Sequence, residues 1–412
     1  MKCIVNARGV ISESLEGPLA AYITSFSESV SDEGYTLDSV KKQTRIVAFF
    51  SRWLEQNRIR LHDVSTEHAT HFLRYRARKR CPYVGDPAAL RRFIDFLRRQ
   101  NVIPAQNTAP PPLTPIEHCV QTFEQYLREE RALARATIIN YVPFIRDFLR
   151  DRFGDRQVKL SCLFAGDVVR FVQRQAPRLH LKRAKLMTTA LRSFLRYARY
   201  RGDVTLDLAA AVPVVANWSM TSIPRAIATD QVRQLLTSID RRTAIGRRDY
   251  AILILLARLG LRSGEVAFLE LDDLDWNTGQ LRVHGKGGQR SDLPLPAEVG
   301  EAIAAYLRHA RPPSASRRVF LRAKAPVRGF RGASGVGSIV RHSLKRAGVD
   351  APTLGAHQFR HGLATEMLRQ GASLADIGEV LGHRHPQTTK IYTKVDVKAL
   401  RTLALPWPGG VR

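Results

Sequence analysis

Cysteine and acid are scarce in this chain. Cys3, Cys81, Cys119 and Cys162 are its four cysteines, and no two stand at Cys-x-x-Cys spacing. That suggests neither a disulfide framework nor a zinc site. Asp and Glu number 37 against 65 Lys and Arg, so the formal charge is +28. Long apolar runs are missing too. The longest, 251–257, is core-helix length and far short of the roughly 18 residues of a membrane span. The opening segment, MKCIVNARGV, lacks the apolar stretch of a secretory leader. These absences predict a soluble cytoplasmic protein.

The positive charge is spread along the chain, in runs such as Arg74 to Arg80, Arg178 to Lys185 and Arg196 to Arg201. Solvated helix faces would account for scattered bases, but not for the failure of acids to balance them. A polyanionic partner accounts for both, because each cation set beside a phosphate releases a counterion. Nucleic acid fits best, and an anionic membrane surface is the competing partner.

Two proline-bearing stretches divide the chain. One is PAQNTAPPPLTP, Pro104 to Pro115, and the other is the segment from Val212 to Pro224. Consecutive prolines cannot enter a helix and favour extended spacing. Three blocks result: 1–103, 116–212 and 224–412. The first two resemble each other. The segments starting at 39, 61 and 90 parallel those starting at 137, 160 and 191, at offsets of 98, 99 and 101. Each carries apolar residues at amphipathic helical spacing, which predicts two bundles of about four helices.

The third block reads differently. Thr229 and Asp230 begin one helix. Gly246 to Asp249 lead into another, which Gly260 ends as a C′ glycine. Segments 280–284 and 291–295 read as short strands around Gly285-Lys286-Gly287-Gly288, a glycine-rich hairpin. Further helices are expected at about 297–309, 335–347, 357–370 and 373–381, with a last short one around Tyr392. The stretch from Pro312 to Arg331, rich in Pro, Gly and Arg, reads as a long surface loop. The predicted fold class is mainly α, with amino-terminal helical bundles followed by a mostly helical α+β domain that holds a small antiparallel sheet.

That block also carries a constellation. Arg262, Lys286, His357, Arg360, His383 and Tyr392 stand in LGLRSGEV, VHGKGGQRSDLPL, HQFRH, LGHRH and TTKIYTKV. A tyrosine is a weak nucleophile at neutral pH, with a free pKa of about 10. Its attack on a phosphodiester also piles negative charge on the non-bridging oxygens, which fixed cations in a desolvated pocket stabilise. Arginine binds two phosphate oxygens at once, so Arg262 and Arg360 suit as clamps. Lys286 on its hairpin suits proton donation to the departing oxygen. His357 shares a helical face with Arg360 and can take or donate a proton. His383 can hydrogen-bond the phosphate. Each residue alone has an ordinary reading as a cap, a turn residue or a core tyrosine; their joint occurrence carries the assignment. His357 and His361 at i, i+4 invite a metal, but HQFRH lacks the glutamate of the His-Glu-x-x-His zinc motif. No metal and no cofactor are expected.

The same motifs resemble those of the tyrosine recombinases, the phage integrase family. The resemblance runs from about Ala228 to Val395. It implies that Arg262 and Arg360 are the catalytic arginines, Lys286 the hairpin lysine and Tyr392 the nucleophile. His357 and Arg360 would be the His-x-x-Arg pair, His383 the Leu-Gly-His histidine, and Glu265 a brace. Phe359 and Gly362 depart from the usual leucine and threonine or serine. The resemblance implies a site-specific recombinase acting through a 3′-phosphotyrosyl bond, in integration, excision or transposition of a mobile element. It further implies double-stranded DNA as partner, a homotetramer on two DNA sites, possible element-encoded accessory proteins, and a nucleoid location in the cytoplasm. Block 116–212 takes the place of a SAM-like core-binding domain, 1–103 an extra arm-like or second core-binding module, and 224–412 the catalytic domain. Leu400, Leu403, Leu405 and Trp407 are candidate anchors of a tail docking on a neighbouring subunit, or on its own domain. A type IB topoisomerase and a non-catalytic DNA-binding accessory protein are the rival readings.

Overall fold

The computed structural model describes residues 16–79, 81, 83–104, 113–154, 156–215, 225–285, 288, 290–382 and 386–395. The first block folds as α1 (Ala20–Asp32), α2 (Leu37–Gln56), α3 (Thr66–Lys79) and α4 (Asp86–Arg99). Thr36 starts α2 by accepting a hydrogen bond from the Ser39 amide at 3.3 Å, which satisfies one of the donors a helix start leaves open. On α4, Leu90, Phe93, Ile94 and Leu97 recur at helical spacing and are fully buried. Phe26 of α1 meets Phe93 edge-on, with centroids 4.9 Å apart. Burial of each such side chain contributes about 1.5–3 kcal/mol.

The second block repeats the pattern with α5 (Pro115–Glu129), α6 (Arg135–Phe153), α7 (Ala165–Gln175) and α8 (Leu181–Tyr200). Thr114 caps α5, and Pro115 occupies its first turn, where a missing amide costs nothing. Both blocks place a short 3-10 turn after the second helix, at Leu61–Asp63 and Leu160–Cys162, as the parallel segments lead one to expect. Their cores are separate: Leu19 to Ile103 in one, Ile116 to Val212 in the other.

In the third block, α9 (Thr229–Thr237) and α10 (Ala244–Arg258) precede α11 (Ser263–Phe268). The start of α10 differs from expectation. Thr243 caps it by accepting from the Gly246 amide at 3.0 Å, so Gly246 lies inside the helix. A Cβ there would stand 1.9 Å from the Asp240 carbonyl oxygen; glycine is required by that approach, not by a turn. Gly260 does end the helix, with φ +59°. The sheet has order β1-β2-β3, antiparallel throughout, with β1 (Leu274–Asp275), β2 (Gln280–His284) and β3 (Arg290–Pro294). Strand β1 goes beyond the expected hairpin. His284 pairs with Arg290, so the hairpin connection is 285–289.

Then follow α12 (Ala297–His309), α13 (Ala333–Arg346), α14 (His357–Arg369), α15 (Leu374–Val380) and a one-turn α16 (Pro386–Thr389), with a 3-10 segment Lys390–Val395 at the end. The stretch 312–331 is not simply a surface loop. Val319, Phe320 and Leu321 are buried, and Leu321 bridges Gly329. The Leu321 amide also donates to the Tyr306 hydroxyl at 3.2 Å. Most of the block shares one core, Ile227 to Phe359. Two compact units result: Met1–Asn107 with Ser222–Arg412, and Thr108–Thr221. The first block thus belongs to the same unit as the third.

Candidate active site

Arg262 is the N-cap residue of α11, in extended conformation. Glu265, one turn on, accepts from the Arg262 amide at 2.7 Å and from its guanidinium Nη1 at 2.7 Å. One buried carboxylate therefore both caps the helix and fixes the arginine's direction, while about a third of the Arg262 side chain stays open to solvent.

Arg360 is in the first turn of α14 and is 5% exposed. Its guanidinium donates to the Gly260 carbonyl at 2.8 Å and also to the Leu381 carbonyl. These acceptors come from the end of α10 and the end of α15, so three elements converge on one cation. Burial, and then the like charge of Arg262, bring the Arg360 pKa down to about 10. The group stays charged at neutral pH, and the two arginines are close enough to repel. An anion placed between them would relieve that repulsion.

Tyr392 is 1% exposed. It packs in a small apolar cluster with Ala364 of α14, Ile377 of α15 and Leu381. Its hydroxyl lies 3.0 Å from His361 Nδ1, and the two rings meet edge-on at 5.7 Å. Burial raises the phenol pKa, opposed by the Arg360 charge. The His361 pKa is lowered by burial, then by His357 and Arg360. A protonated phenol beside a neutral imidazole makes Tyr392 the donor and Nδ1 the acceptor. His357 stands one turn before His361 on α14, with ring centroids 6.4 Å apart.

Arg262, Glu265, His357, Arg360 and Tyr392 are thus gathered around the start of α14. Lys286 and His383 lie outside the described residues, as do Leu400, Leu403, Leu405 and Trp407. His361 is the functional candidate that sequence reasoning missed, having weighed it only as half of a metal pair. Its place directly after Arg360 and one turn after His357 was the available signal. Gly362 also has a packing reason: a Cβ there would stand 2.8 Å from the Ile227 carbonyl oxygen. Among the described residues, no group of three or more His, Cys, Asp or Glu side chains stands together as a metal site would need.

Two arginines, a histidine pair and a buried tyrosine thus meet at one helix start, in a mostly helical block with a small antiparallel sheet. The chain belongs to the phage integrase family. The model described as "Phage integrase family" matches residues 225–399, and "Phage integrase, N-terminal SAM-like domain" matches 120–202. A Sinorhizobium fredii protein described as an integrase/recombinase, y4rA, is 61% identical over 409 residues, covering 99% of both chains. The tyrosine recombinase XerC of Azotobacter vinelandii is 33% identical over 68% of this chain and 92% of its own. In fold, the chain is similar to the XerH site-specific recombinase solved with palindromic difH substrate. That match has a TM-score of 0.56 and 18% identity, over 77% of this chain and 94% of that one.

Proposed function

We propose that the protein is a site-specific recombinase that cuts and rejoins double-stranded DNA through Tyr392, in integration, excision or transposition of a mobile element. The observation that carries this is the Tyr392 hydroxyl, held on His361 in a cluster with buried Arg360 and with Arg262 close by. Arg262 and Arg360 bind the non-bridging oxygens of one phosphodiester. The Tyr392 oxygen attacks phosphorus, and its proton passes to the histidine pair of α14. The P–O5′ bond breaks, and the departing oxygen takes a proton from Lys286. His383 donates to the phosphate. The products are a 3′-phosphotyrosyl bond and a 5′-hydroxyl. A 5′-hydroxyl from a partner duplex reverses the step and joins the new strands. The ester energy is kept in the enzyme bond, so neither ATP nor a metal is required.

In this reading the SAM-like block, 116–212, and the catalytic block, 224–412, each bind DNA, the first block adds a further module, and four copies join two sites in the cytoplasm. Relatedness to Xer recombinases and the site's composition support it. Covalent capture tests it. The protein is mixed with nicked duplexes from the flanks of its own gene, in EDTA, and compared with Tyr392→Phe. A denaturation-resistant adduct in the wild type alone is expected. An adduct in both would overturn the assignment of Tyr392. Tight binding with no adduct on any flank would favour an accessory role, and relaxation of supercoils by a monomer would favour a topoisomerase.

A further inference from the structure

A cavity of about 1510 Å³ lies between α4 of the first bundle and the 322–331 segment with α13. Among the described residues, ten arginines and lysines line it against three carboxylates, Glu33, Asp95 and Asp249. Each carboxylate is already engaged. Asp249 pairs with Arg248 at 2.7 Å and Arg346 at 3.5 Å, Glu33 with Arg92 at 3.7 Å, and Asp95 with Arg98 at 3.5 Å. Arg91 and Arg99 on one wall, and Arg322, Lys324, Arg328 and Arg331 on the other, form no ion pair among the described residues.

Like charges within a Debye length, about 8 Å at physiological salt, repel, and the three carboxylates of the cleft do not offset its ten cations. A polyanion in the cleft would. The volume exceeds the roughly 300–1,000 Å³ of ordinary small-molecule sites, and cations stand on both walls. An extended chain of evenly spaced negative charges engages both. The walls also touch directly. The Val327 amide donates to the Glu33 carbonyl at 2.8 Å. Gly34, at φ +83°, lies so close that a Cβ would stand 2.5 Å from Val327 Cγ2. The α4 wall lies outside both matched family models, which cover 120–202 and 225–399.

We infer that this cleft holds the sugar–phosphate backbone of duplex DNA away from the phosphodiester being cut, so that the first bundle and the catalytic block form a second grip. The inference rests on the reading of the chain as a DNA recombinase and deepens it.

The test uses full-length protein carrying Tyr392→Phe, so that binding is read without covalent capture. Affinity for a long mixed-sequence duplex is measured by fluorescence anisotropy across a salt series. Each lost phosphate contact reduces the slope of log K against log salt by about 0.9. Arg91→Ala with Arg99→Ala should therefore flatten the slope by nearly 2, and adding Arg328→Ala and Arg331→Ala by between about 3 and 4. Gly34→Val, which removes no charge but forces the walls apart, should flatten it as well. Unchanged slopes in the double and quadruple variants overturn the proposal, whatever else enters the cleft. A flattened slope without covalent capture by the wild type would keep the cleft and sink the phosphotyrosyl reading; capture with unchanged slopes would do the reverse.

Discussion

The hydroxyl of Tyr392 lies 3.0 Å from Nδ1 of His361; the tyrosine is buried and the histidine half-buried. The contact ties the candidate nucleophile to α14, the helix that also carries Arg360. If His361 takes the phenol proton, His361→Ala should slow single-turnover cleavage by about 10²–10⁴-fold with DNA affinity unchanged. The sign of the pH effect follows from the lowered His361 pKa. The ring is a competent acceptor when neutral, so cleavage should fall only as pH drops through a value below the ordinary histidine range. In His361→Asn that acid limb should vanish. An acid limb that persists unchanged in the asparagine variant would refute this role. The same depressed pKa gives a stability contribution that is full above the ordinary histidine value and lost as pH falls through the folded one.

Glu265 binds both the amide and the guanidinium of Arg262. Glu265→Ala should cost about 0.5–2 kcal/mol as a lost cap, read from urea unfolding. It should also slow cleavage by about tenfold or more, because one clamp loses its direction. Glu265→Gln keeps acceptor capacity for the amide and should recover most of the stability but less of the rate.

Gly260 joins conformation to chemistry. It has φ +59°, its carbonyl accepts from Arg360, and a Cβ there would stand 2.9 Å from Leu381 Cδ2. Gly260→Ala should destabilise by about 1–3 kcal/mol, measured as a shift in the denaturant midpoint. It should also reduce cleavage more than DNA binding.

Lys286 is proposed as the acid for the departing 5′ oxygen. Lys286→Ala should slow cleavage and spare binding. A substrate with sulfur in place of that bridging oxygen leaves without a proton, and should restore most of the rate. Equal loss of cleavage and binding, with no rescue by sulfur, would sink the assignment.

Much of this fold was legible because its determinants are local. Leu90, Phe93, Ile94 and Leu97 recur at helical spacing and are buried. The alternation along Gln280–His284, with Leu281 and Val283 inward, marks a half-buried strand. Arg262, His357, Arg360 and Tyr392, singled out by their order in the sequence, do meet around α14, while Lys286 and His383 fall outside the described residues. What escaped depends on distant partners. Strand β1 is two residues long and shows no period. Gly246 reads as a break until the Asp240 carbonyl stands over it. His361 meets Tyr392 across 31 positions, and Gly362 yields to the backbone of Ile227. The docking of the first bundle on the 312–331 segment includes a backbone hydrogen bond and a glycine contact at Val327, which no periodicity records.

A protein with a net charge of +28 meets arbitrary DNA constantly, because electrostatic attraction does not wait for the right sequence. With Tyr392 1% exposed, the proposed nucleophile is covered in this state, and under that proposal chance encounters should end without a cut strand.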